Sequence, residues 1–60
     1  MTLEELMEFN GQAVTEEQLE EIRKCELVDD IEDTGLSPMY PELNWYIVIL
    51  TNRQEINVFA

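Results

Sequence analysis

Sixty residues carrying 14 acidic and 3 basic side chains, with net charge −11 and pI near 4.1, make at most one small acidic domain, residues 1–60. With Cys25 as the only cysteine and no histidine, an internal disulfide, a histidine metal site and a histidine-based triad are all excluded. The charge excludes a nucleic-acid reader, which needs basic patches against phosphate, and repels anionic membrane surfaces; it leaves a basic protein surface as the attractive partner.

A hydrophobic content of 45% fits a folded domain. In chain order, Thr2 and Glu5 form a capping box, each side chain serving the other's backbone N–H. Leu3, Leu6 and Met7 share a helical face with Phe9 at its margin, and Asn10-Gly11 ends a helix over about residues 3–10. A second box follows at Thr15 and Gln18, with Val14 and Leu19 at the staple positions. Glu16 and Glu17 lie in the first turn, where the helix dipole favours negative charge, and Glu20 is placed to pair with Lys24 at i,i+4. These signals predict a helix from 16 to about 27.

Beyond that point two readings stand. Leu19, Ile22, Cys25, Val28 and Ile31 recur every three residues, so the helix either bends onward to about residue 33 or breaks near Leu27. Asp29-Asp30 favours the break, since aspartate competes for backbone donors inside a helix, and Gly35 is a final stop. Residues 34–44 read as a loop, punctuated by Pro38 and Pro41.

The remaining segment predicts an antiparallel β-hairpin, strands at about 44–51 and 54–59. A loop at Asn52-Arg53, with Asn52 at positive φ, sets Leu50 against Glu55, Val48 against Asn57 and Tyr46 against Phe59. In that register Trp45, Ile47, Ile49, Ile56 and Val58 face the helices, and Tyr46, Val48, Leu50, Asn57 and Phe59 face outward. The predicted class is therefore α+β: two N-terminal helices, a loop, and a C-terminal hairpin packed on the helices.

Two features carry candidate function. Glu16, Glu17, Glu20, Glu21, Glu26, Asp29, Asp30, Glu32 and Asp33 place nine carboxylates in 18 residues. On a continuous helix they would span ~27 Å, about one charge every 3 Å, close to the ~3.4 Å spacing along one strand of duplex DNA. The other is the outward hairpin face, Tyr46, Val48, Leu50 and Phe59, as an apolar partner surface. Asp30, Glu32, Thr34 and Gly35 follow the first half of a calcium loop, but Ser37 and Pro41 break the second half. Cys25 lacks a base to activate it, and paired carboxylates would need a substrate cleft that a chain this short can hardly enclose. No enzyme, cofactor or metal site is expected.

The expected function is that of a small acidic protein-binding module that inhibits or regulates a partner with a basic surface. In size and charge the chain resembles, as a class, the small acidic inhibitors that phages and mobile elements encode, nucleic-acid mimics among them. That resemblance implies a host nuclease, polymerase or DNA-binding protein as partner, with no direct contact to nucleic acid. The alternative is a structural or regulatory adaptor, antitoxin-like, that binds through the apolar hairpin face or self-associates into a homo-oligomer. The acidic start, the lack of a 20-residue apolar run and the single thiol predict a cytoplasmic protein without a membrane segment.

Overall fold

The computed structural model describes residues 1–60 as a layer of two helices against a four-stranded mixed sheet. In chain order these are α1 (Leu3–Glu8), β1 (Gln12–Ala13), α2 (Glu16–Lys24), β2 (Val28–Leu36), β3 (Asn44–Leu50) and β4 (Glu55–Phe59). The sheet order is β1-β4-β3-β2; β1 runs parallel to β4 and the other pairs are antiparallel. The α+β class follows.

Both capping boxes form. The Glu5 amide donates to Thr2 Oγ1 at 3.2 Å and the Thr2 amide to Glu5 Oε1 at 3.1 Å. The same exchange joins Gln18 and Thr15 at 3.1 and 2.9 Å. The bonds from the Thr2 backbone and then its hydroxyl hold the Glu5 carboxyl below the usual glutamate pKa. A lowered folded pKa makes that contribution present above the unfolded glutamate pKa and lost as pH falls through the folded one.

α2 is shorter than the pattern predicts. It stops at Lys24; Cys25 caps it in extended conformation at φ −70, ψ 134, and residues 28–36 are a strand, neither helix nor loop. The helical reading to 27 or 33 is thus corrected, and the cause is a β-bulge. Val28 pairs with Leu50 and Asp30 with Ile49, so Asp29 is an extra residue in the ladder. The insertion puts Val28 and Ile31 three residues apart on the same sheet face, a spacing that imitates a helix. A second register shift lies between Asp33 and Leu36, where Gly35 takes φ 95.

The hairpin is formed by the expected residues but in a different register. Leu50 N–H donates to the Gln54 carbonyl at 2.8 Å and Arg53 N–H to the Leu50 carbonyl at 3.0 Å, closing the loop Thr51-Asn52-Arg53. Arg53, not Asn52, takes the left-handed conformation, φ 72. Glu55 therefore faces Ile49, Asn57 faces Ile47, and Phe59 faces Trp45. A one-residue slip sends every side chain of a strand to the other face. The β3 faces are accordingly the reverse of the expected ones: Val48 and Leu50 join Ile56 and Val58 against Leu6, Val14, Leu19 and Ile22 in the core. Tyr46 packs at the rim of that cluster, while Trp45, Ile47 and Ile49 take the far face.

The turn and the face assignment each have a test. Arg53→Gly removes the Cβ clash of a left-handed residue, so it should raise stability by about 0.5–1 kcal/mol in a urea melt. Leu50→Ala should cost about 3 kcal/mol and Ile49→Ala about 1 kcal/mol, because only the first empties the core; the reverse order would restore the other register.

Candidate functional site

The candidate surface begins with where the carboxylates go. All 14 acidic side chains are exposed, and a single ion pair forms, Arg23 Nη1 to Glu20 Oε1 at 3.5 Å. Glu20 thus pairs at i,i+3 with Arg23 in place of Lys24, and an exposed pair of this kind neutralises little.

The fold divides the acidic segment. Glu16, Glu17, Glu20 and Glu21 project from α2, whose Leu19 and Ile22 are turned into the core. Glu26 lies in the turn after the helix and Asp29 at the bulge. Asp30 and Glu32, level with Ile49 and Ile47, stand on the far sheet face; Asp33, level with Tyr46, is on the helix side. The nine carboxylates therefore form no single ~27 Å line, because a nine-residue helix and a strand replace the continuous helix on which that length depends. Of the calcium-type residues, Asp30 and Glu32 share the far face while the Thr34 hydroxyl donates to the Trp45 carbonyl at 2.9 Å, and no cluster of three metal-ligating side chains gathers.

The expected apolar surface is placed differently again. Val48, Leu50 and Phe59 are 0, 2 and 4% exposed, and Tyr46 is half-buried. These four are packing residues, not an outward surface; for Tyr46, Val48 and Leu50 the one-residue difference in the turn is the reason. Phe59 is on the far face, where the 37–43 loop covers it. Tyr40 stacks at 5.0 Å from the Phe59 ring, tilted by 50°. Buried Ser37 fixes that loop, its Oγ accepting from the Met39 and Tyr40 amides at 3.1 Å each.

What sequence reasoning missed is the row Trp45, Ile47 and Ile49, half-buried on the face away from the helices. Trp45 Nε1 donates to Asn57 Oδ1 at 2.9 Å, which ties the indole to the neighbouring strand. An open groove of about 270 Å³ lies at that end, lined by Gly11, Pro38, Met39, Trp45, Asn57 and Phe59. The signal was the apolar run of β3 itself, which alternates between two faces and so had to leave three large side chains on one of them.

Both sheet edges resist a further strand. On the β4 side, the Asn57 amide donates to Asn10 Oδ1 at 2.9 Å and Asn57 O accepts from Gly11 N–H. On the β2 side, the strand carries Asp29, Asp30, Glu32 and Asp33 and two register shifts. Asp30 Oδ1 and Asp33 Oδ1 also occupy the Ile31 and Gly35 amides at 2.8 and 2.9 Å. Lone Cys25 is half-buried, its thiol directed at the Met1 carbonyl at 3.7 Å. No helix is long and apolar enough to cross a membrane.

Comparison of the chain with protein-family models, with curated proteins and with solved structures gave no match.

The charge sets a stability prediction. The molecule measures 29 × 20 × 16 Å, so at about 0.01 M salt, where the Debye length is ~30 Å, every carboxylate repels every other. Raising NaCl to about 0.5 M should lift the melting temperature by several degrees; a flat profile would show that the acid costs the fold nothing.

Proposed function

We propose that this chain is a non-catalytic, acidic protein-binding module that docks on a basic surface of a partner and so regulates or blocks it. The observation that carries this reading is the uncompensated charge: 14 exposed carboxylates with one exposed ion pair among them. A domain with a core this small gives up stability by keeping such charge, and electrostatic steering toward a cationic surface is a physical use for it. A surface that binds nucleic acid carries clustered lysines and arginines against phosphate, so a nucleic-acid-binding protein is the partner class this favours. Because the carboxylates lie on both layers, the module is a diffuse attractor more than a straight copy of a phosphate ridge.

An adaptor role through an apolar surface is the second reading. It rests on partly exposed Trp45, Ile47 and Ile49, and not on Val48 and Leu50, which belong to the core.

The test is capture from a cell lysate on the immobilised chain at low salt. Recovered proteins should be predominantly basic, should be released as salt rises to roughly 0.2–0.5 M, and should be displaced by duplex DNA. Replacing Glu16, Glu17, Asp30 and Glu32 by their amides should reduce recovery several-fold. A recovered set without charge bias, unmoved by salt, would overturn the reading.

A further inference from the structure

We propose that the open sheet face is a docking trough for a basic amphipathic helix of a partner protein. The helix would seat its apolar row on Trp45, Ile47 and Ile49 and set its lysines or arginines against Asp30, Glu32 and Glu55. This rests on the reading that the partner is basic and adds which face meets it and in what form.

The topology leaves this face over. α1 and α2 cover the other side of the sheet through Leu6, Leu19 and Ile22, and the 37–43 loop covers Phe59, while Ile47 and Ile49 stay partly exposed. Strand register then arranges what remains. Asp30, Ile49 and Glu55 form one cross-strand row, and Glu32, Ile47 and Asn57 the next. Directly opposed side chains in such rows are about 5 Å apart. Each isoleucine is thus flanked by a carboxylate on β2, and Ile49 by a second on β4. Trp45 continues the apolar line to the open groove beside Met39, which is 68% exposed and suited to hold one inserted side chain.

An apolar line with an acidic rim selects its occupant. A second copy would bring an identical acidic rim, and with −11 on each chain that approach is repulsive. An anionic membrane is repelled for the same reason. A partner strand would need a free edge, and side chains, short β1 and bulges obstruct both. A helix needs only the face. From Trp45 to Ile49 the line runs about 13 Å, the length of roughly nine helical residues. A helix with apolar residues at i, i+3/i+4 and i+7 and cations on its flanks matches that length and charge.

The test uses the unaltered chain and two synthetic lysine–leucine peptides of about 18 residues and identical composition. One has its leucines on a single helical face; in the other they are scrambled. Trp45, the chain's only tryptophan, reports the encounter by fluorescence. The amphipathic peptide should bind about tenfold tighter than the scrambled one and shift the Trp45 emission. Ile47→Asn should remove about that tenfold advantage, while Leu36→Asn, at an exposed apolar residue off this row, should change it less than about twofold. Equal binding of the two peptides would overturn the trough while leaving a charge-steered module intact. Failure of both peptides to bind at low salt would remove the basic-partner reading as well. A dimer in sedimentation that Ile47→Asn abolishes would assign the face to a second copy and overturn the inference too.

Discussion

The 2.8 Å hydrogen bond from the Leu50 amide to the Gln54 carbonyl closes a loop in which Arg53 adopts a left-handed conformation, and the rest of the molecule is arranged by it. It sets β3 against β4 so that Val48 and Leu50 fall on the same side as Ile56 and Val58. That apolar patch is what the helices cover. The same register sends Trp45, Ile47 and Ile49 to the opposite side, beside Asp30, Glu32 and Glu55. One turn therefore sets both the core and the candidate docking face, because a strand's two faces cannot be chosen independently.

Charge is the second constraint. A chain of this length has little core to spend against repulsion, and its acidic side chains are all exposed. The carboxylates on β2 act twice in this arrangement. They discourage another chain from adding a strand at the long edge, with Asp30 and Asp33 occupying two amides directly. They also form one wall of the apolar line on the open face. The opposite edge is guarded without charge, by the Asn10 side chain and a two-residue strand.

The parts of this protein legible in the sequence are those set within a few residues. The Thr2/Glu5 and Thr15/Gln18 boxes and the β-rich composition of 45–50 and 55–59 locate both helix starts and both hairpin strands. β2 was not legible, because the bulge at Asp29 changes its repeat from two to three and its composition is that of a solvated acidic segment. It is a strand because β3 has a free ladder edge that a two-stranded hairpin would leave unpaired. The candidate face differs from the expected one for a related reason: a loop of three residues, Thr51-Asn52-Arg53, in place of two inverts β3 from end to end.

The sequence by itself determined the acidity, the helix starts and the α+β class, since propensity, capping and charge are properties of neighbouring residues or of the whole composition. Only the tertiary structure decided which carboxylates share a face, that residues 28–36 pair with β3, and that Val48 and Leu50 lie inside while Ile47 and Ile49 lie out. Those outcomes depend on register and bulges, where one inserted residue costs little locally but exchanges every contact across the sheet.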